Sequence, residues 1–451
     1  MKAVIMTTRP GTGIRWRIGS LLALGVFVNY IDRIALSVAS PQLQAEYGLT
    51  SIQLGWLFSG FFWIYAFVQI PSGLLADRFG VRATMRASTI LWTLSSGLTA
   101  LAGSFPGFLA ARMLLGLAEA PAYPAGTKAT GYWFPRSERG TATALFDASA
   151  RFANVVGVPL VAVVAVHLGW RWSFVMTACL SLAYALVFFT TYRDPSAHPH
   201  LTQEEYRYIR DGGAAAEGTP SAGSGWASLP YLLRQKKIWG IILGFAAYGY
   251  FFTLFLTWMP NYLVRQFHVS MMQSAGYAML PWVVATAGEL LVGGWLIDAL
   301  CRKGYDETRT RKIMLLLGFV LGLAMIGAIF TSSLDWAIFW ISISLGGLSS
   351  AAPVIWSLPS LVAPRGVGGT VTGIANFANN GFGIVATVLT GYLVSLTGSF
   401  GAAFVCASVM LLGGCAAIAI LLKSFTPVEE PPALHTAGQF TAMLPEDPLQ
   451  L

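Results

Sequence analysis

Charge is scarce in this chain. Asp, Glu, Lys and Arg make up 11% of its 451 residues, while 55% are hydrophobic. A soluble domain carries about 25% charged residues. So few charges could not cover a soluble protein of this size, which excludes a wholly water-exposed fold and makes lipid the solvent for much of the chain. Cysteine is scarcer still. Cys179, Cys301, Cys406 and Cys415 match no metal motif in their spacing, and three lie inside apolar runs. They read as small core residues. The five His, including His167, His198, His200 and His268, fall mainly in loops. With no metal-ligand cluster, His pair or nucleophile motif, neither a metal site nor a membrane-embedded enzyme finds support.

Long apolar runs are abundant instead. A spanning helix needs about 20 mostly apolar residues. About twelve runs meet that criterion, the first six near 17–39, 54–75, 84–103, 106–128, 140–166 and 171–192. Six more fall near 238–263, 273–299, 312–332, 335–359, 366–395 and 398–422. Arg9, Arg15 and Arg17 precede the first run in the manner of a signal peptide. That run is too long for one and contains Asp32 and Arg33, so it reads as a spanning helix rather than a cleaved segment. The 48 glycines fit close helix packing in lipid.

The polar stretch 193–237 divides the runs six and six, and its segment from Gly212 to Gly225 has linker chemistry. The expected layout is a tail at 1–16, a helical bundle at 17–192, a loop at 193–237, a second bundle at 238–422 and a tail at 423–451. Such symmetry suggests an internal repeat.

Basic residues set the expected orientation. They cluster at Arg78, Arg82 and Arg86, at Arg136 and Arg139, at Arg302, Lys303, Arg309, Arg311 and Lys312, and in the central loop. The alternate segments 40–53 and 104–106 carry none, and Arg171 and Arg265 are the exceptions. The positive-inside bias then puts both termini and the central loop in the cytoplasm. It also accounts for the net charge of +8 without a nucleic-acid partner.

After the second run the sequence reads Gly73-Leu-Leu-Ala-Asp77-Arg78-Phe-Gly80-Val-Arg82. The glycines permit a tight turn, and Asp77 can cap a helix end or pair with a basic residue and hold one conformation closed. A degenerate echo, Gly294-Trp-Leu-Ile-Asp298 with Arg302 and Lys303, follows the eighth run. This stretch resembles the signature loop of the major facilitator superfamily. Three further stretches carry a finer likeness: Asn29-Tyr30-Ile-Asp32-Arg33; Arg112 through Gly116, Glu119, Pro121, Tyr123 and Pro124 to Tyr132-Trp133-Phe134-Pro135; and Asn376-Phe377-Ala-Asn379-Asn380-Gly381. Together they are similar to the anion:cation symporter branch, and within it to bacterial sugar-acid symporters for hexonates, hexarates or hexuronates.

The resemblance implies an all-α polytopic membrane protein with the major facilitator fold, twelve transmembrane helices in two six-helix bundles. It implies proton-coupled uptake of a small organic anion by alternating access, in the bacterial inner membrane, with no cofactor beyond the proton; a monomer is expected. A drug or metabolite exporter of the same fold is the alternative. Exporters tend to carry a Gly-Pro-rich motif in the fifth helix, of which Val156-Gly157-Val158-Pro159-Leu160 is only a fragment. A nutrient sensor would need a signalling domain, which the central loop and tail do not offer.

A charge in hydrocarbon costs about 2.5–3.5 kcal/mol on insertion scales, so charges within the runs need partners or a wet cavity. Asp32, Arg33, Arg112, Glu119, Lys128, Asp147, Arg151 and Glu289 are such charges. Arg112, Gly116, Glu119 and Tyr123 share one helix face. Arg112 and Glu119 are about 10 Å apart along the axis, too far to be each other's sole partner; a cavity-lining stripe or an interhelix salt bridge are the two readings. Asp32 and Arg33, being adjacent, point in different directions. A carboxylate withdrawn from water binds a proton more readily, and a nearby Arg opposes this. The resemblance assigns proton coupling to Asp32 and Glu119. A substrate carboxylate needs a cation, for which Arg33, Arg112 and Lys128 are candidates, although Lys128 can also simply snorkel. Arg151 stands where the resemblance leads one to expect glutamine. It would receive a second carboxylate or be neutralised by Asp147, four residues earlier. Glu289 would pair across the bundles, line the pathway or join the proton relay. Tyr30, Tyr65, Tyr123, Trp356, Ser357, Asn376 and Asn380 complete the candidate pocket, with Tyr65 and Asn380 favoured by the resemblance.

Overall fold

The computed structural model describes residues 13–135, 137–217, 229–364 and 367–429, without the side chains of Ile70 and Asp298. Arg9, Arg136, the 218–228 part of the expected linker, the tail beyond 429 and the Asp298 side chain of the echo motif lie outside the described residues. The N-terminal half contains α1 (Ile14–Tyr47), α2 (Ser51–Leu101), α3 (Phe105–Glu119), α4 (Ala122–Trp133), α5 (Arg139–His167) and α6 (Trp170–Thr191). Two short helices, α7 (Gln203–Asp211) and α8 (Leu229–Leu232), occupy the middle. The C-terminal half contains α9 (Lys236–Phe267), α10 (Met271–Ala287), α11 (Ile297–Arg302), α12 (Glu307–Gly322), α13 (Leu334–Ser350), α14 (Ala352–Val362), α15 (Gly368–Thr397) and α16 (Gly401–Leu421). A π-helical stretch, Gly288–Leu296, joins α10 to α11, and a 3₁₀ stretch, Leu323–Ile329, extends α12.

Among the described residues, ten helices are long and apolar enough to cross a membrane. Segments 81–101 and 105–133 complete twelve passages, the latter interrupted at Pro121, so that α3 and α4 have only 15 and 12 residues. Pro121 and Pro124 remove backbone donors there and break the ladder. Some passages start at a side-chain cap. Thr50 with Gln53 and Ser270 with Gln273 form reciprocal capping boxes, and Ser104 accepts from the Gly107 N–H. Large apolar side chains such as Leu94, Leu186, Leu291 and Val409 are exposed on the outer faces, where lipid replaces water.

The second and third passages are not separated by the expected loop. One helical run is broken only at Gly80, whose φ of 78° needs a residue without a Cβ. The central loop carries a helix ahead of the 212–225 linker segment. This helix, α7, docks on the first bundle, with Glu205 accepting from the backbone N–H of Ile14 (3.1 Å) and Arg15 (3.2 Å), as a carboxylate does at a helix N-terminus. Arg15 in turn holds Glu138 at 2.7 Å and Glu205 at 2.8 Å. The eighth passage is irregular around Glu289, inside the π stretch.

The two bundles meet along α2 with α15, α5 with α10, and α1 with α9. At the end of the seam carrying Gln44, three hydrogen bonds cross between bundles. Ser37 Oγ donates to the Thr257 carbonyl (2.6 Å), Asn261 Nδ2 to Gln44 (2.7 Å) and Arg265 Nη1 to Ser51 Oγ (2.9 Å).

Candidate functional site

Asp32 and Arg33 sit in the middle of α1 and, as neighbours on a helix, serve different surroundings. Arg33 Nε donates to Glu119 Oε2 at 2.9 Å, and both side chains are buried. The Arg33 guanidinium lies 4.6 Å from the Phe61 ring and 4.8 Å from the rings of both Tyr30 and Tyr65. This aromatic cage stabilises a cation electrostatically through its face. Arg33 Nη2 and Glu119 Oε1 have no hydrogen-bond partner. The pair is therefore strong at one contact and unsaturated elsewhere.

Asp32 faces away, toward α2 and α6. It accepts hydrogen bonds from Trp92 Nε1, Ser96 Oγ (2.8 Å) and Ser181 Oγ (2.9 Å). Among the described residues it has no ion pair. Neutral donors carry that carboxylate.

Arg112 does not pair with Glu119, in keeping with their axial separation. Its guanidinium lies 5.4 Å from the Phe61 ring, its Nε has no hydrogen-bond partner, and it is within electrostatic range of Glu119, Asp32 and Arg33. Among the described residues it is a buried cation without an ion pair. The gap at Gly116 is not spare room beside the charges. A Cβ there would strike the Phe61 carbonyl, so Gly116 lets α3 cross tightly over α2. That crossing delivers the Phe61 and Tyr65 rings to Arg33.

A second cluster lies across the seam. Arg151 of α5 pairs with Glu289 in the π stretch of the other bundle and lies 3.7 Å from Asp147. Its Nη2 donates to Tyr248 of α9 at 3.2 Å. Asp147 thus shares Arg151 rather than neutralising it alone. Tyr248 was missed in the sequence, where an uncharged tyrosine in an apolar run gives no signal. Tyr123 packs edge-on against Phe146 at 5.0 Å and has Tyr30, Tyr65, Asp147 and Arg33 within electrostatic range.

The remaining candidates divide. Lys128 neither snorkels nor stands free; it pairs with Asp77 and donates to the Ala76 carbonyl at 3.2 Å, joining α4 to α2. Gly73 and Arg78 stay partly or wholly exposed on the same stretch, Arg78 against Phe79, and Arg82 is half-buried. In the C-terminal bundle, Asn380 Nδ2 donates to the Asn376 carbonyl (2.9 Å) and Ser357 Oγ to the Val354 carbonyl (2.7 Å), each within its own helix. Trp356 meets Phe245 edge-on at 5.0 Å. Among the described residues none of these four forms a hydrogen bond with the Arg33–Glu119 pair. The crevice lined by Leu254, Trp258, Tyr262 and Phe404 is apolar core packing, remote from these charges.

The Major Facilitator Superfamily model matches residues 22–387. An uncharacterized transporter of Bacillus subtilis (strain 168) is 39% identical over 408 residues, covering 90% of this chain and 93% of that protein. A probable galactarate/D-glucarate transporter of the same strain is 32% identical, covering 87% and 89%. Among solved structures, an inward-facing, occupied bacterial homolog of the human lysosomal transporter Spinster superposes with a TM-score of 0.68 at 18% identity, covering 92% of this chain and 96% of that one. Relatives and fold neighbours alike are transporters rather than enzymes. Twelve helical passages, a buried set of ionisable groups between two bundles, and these likenesses agree: the chain is a multi-pass membrane protein that belongs to the Major Facilitator Superfamily.

Proposed function

We propose that the chain imports a small organic anion, a sugar acid, together with protons. The observation that carries this reading is the buried contact between Arg33 and Glu119. Arg33 is the fork suited to a carboxylate, and Glu119 already occupies one edge of it. A proton on Glu119 removes its charge and frees that edge for the substrate.

Charge counting supports the coupling. With all groups ionised, Arg33, Arg112 and Arg151 contribute three positive charges against four negative from Asp32, Glu119, Asp147 and Glu289, a formal −1. An entering anion finds no net attraction there. Each added proton raises the total by one, so proton and anion binding assist each other, and the linkage is reciprocal.

The positive-inside bias favours a cytoplasmic Asp77 end, and the bundles are hydrogen-bonded to each other at the Gln44 end. Release to the cytoplasm then follows loss of the proton from Glu119, which returns to Arg33 as the ligand leaves. The galactarate/D-glucarate name of one relative supports a sugar acid as cargo. Tyr30 and Tyr65 beside Arg33 supply hydroxyls and ring faces for such a ligand. The protein works as a monomer in the bacterial inner membrane, with both termini cytoplasmic.

The test is uptake into proteoliposomes under an inward proton gradient. Wild type accumulates a hexonate or hexarate. Glu119→Gln and Asp32→Asn lose accumulation yet retain counterflow exchange. Accumulation unchanged by either substitution removes that acid from the coupling, and efflux of lipophilic compounds in place of sugar-acid uptake identifies an exporter.

A further inference from the structure

Arg151 belongs to the N-terminal bundle, yet most of its partners belong to the other one. Glu289 and Tyr248 reach it across the seam, and only Asp147 is on its own helix. The Arg151 and Glu289 side chains are 4% and 8% exposed, Asp147 33%. Two carboxylates therefore share one buried guanidinium, and the drier of them sits on an irregular backbone bracketed by Gly288, Gly293 and Gly294.

A rocking motion that parts α5 from α10 would break this pair. A buried charge abandoned by its partner is strongly unfavourable, so another group must take the vacated place. The geometry suggests which. The Tyr30 ring lies 4.8 Å from the Arg33 guanidinium and is also within electrostatic range of Arg151 and Tyr248. Tyr123 is within electrostatic range of both Arg33 and Asp147. Arg33 and Arg151 thus have Tyr30 as a common neighbour, which suits a ligand with an acidic group at each end.

We propose that Arg151 binds the second acidic group of a dianionic substrate, and that Glu289 is the chain's own stand-in for that group until the substrate displaces it. The proposal rests on the anion-transport reading above. On displacement Glu289 takes a proton from water and leaves as a neutral acid. The cluster keeps its formal charge, because the incoming carboxylate replaces the one lost. Asp147 on α5, Tyr248 on α9 and Tyr30 on α1 are the other titratable groups facing the pair. A dianion is thus bound with one more proton than a monoanion of the same carbon skeleton.

Calorimetric titration of the purified full chain with a hexarate and a hexonate, in two buffers of different ionisation enthalpy, tests this. Wild type is expected to take up one additional proton with the hexarate. In Arg151→Gln the ratio of hexarate to hexonate Kd rises at least tenfold. In Glu289→Gln that ratio falls and the additional proton disappears. The double variant Arg151→Gln/Glu289→Gln, which leaves neither charge buried alone, follows Arg151→Gln. Equal changes in both Kd values, as a purely structural latch would give, overturn the proposal, as does hexarate binding without the additional proton. If wild type binds neither acid, the anion-transport reading fails as well. If both bind and only the ratio is insensitive to Arg151, this inference alone fails.

Discussion

Arg33 and Glu119 lie 86 positions apart in the chain, yet their side chains meet at 2.9 Å in a buried contact between α1 and α3. Neither is saturated by the other, since Arg33 Nη2 and Glu119 Oε1 remain without partners. Residual hydrogen-bonding capacity on a buried ion pair is costly, and the proposed binding of an anion and a proton would satisfy it.

Replacing Arg112 by Ala is expected to weaken anion binding at least tenfold, because this guanidinium has no ion pair to lose and is available to a ligand. Affinity measured by thermal shift against sugar-acid concentration checks this. Wild-type affinity in the variant would exclude Arg112 from the site.

The Lys128–Asp77 pair ties α4 to α2 at the Asp77 end. Removing one partner of a largely buried pair is destabilising. Lys128→Ala is therefore expected to lower Tm and transport rate together. The exchange Asp77→Lys with Lys128→Asp should recover most of both, and a rate that stays low in the exchange variant would show that the charges have separate roles.

Gln44 and Asn261 touch at 2.7 Å where the bundles are joined. In a background with Cys179, Cys301, Cys406 and Cys415 replaced by Ser, the pair Gln44→Cys and Asn261→Cys should form a disulfide on mild oxidation. Uptake should then fall more than tenfold and return on reduction, because the bundles can no longer part at that end. Full transport with the cross-link in place would contradict rocking about the central site.

Much of this architecture was legible in the residues themselves. Apolar runs give the passages, and Gly80 marks the break between the second and third, although a single left-handed residue does the work expected of a loop. The Arg112–Glu119 face was readable from spacing, but the partner of Glu119 comes from another helix, and local periodicity cannot report that. Asp32 invited a basic partner and received Trp92, Ser96 and Ser181, residues that carry no signal until the bundle brings them together. The Arg15–Glu138–Glu205 network was hidden for the same reason, joining positions 123 and 190 residues apart. Asn380 and Ser357 look like ligand donors in sequence, yet each is spent on its own helix backbone in this state.

The linkage between proton and anion is tested most directly by measuring sugar-acid affinity as a function of pH in wild type and Glu119→Gln. Wild-type affinity should strengthen as pH falls, because the proton releases Arg33 to the ligand, and Glu119→Gln should bind tightly with that pH dependence removed. Wild-type affinity independent of pH, or a Glu119→Gln profile that overlays wild type, would contradict the account.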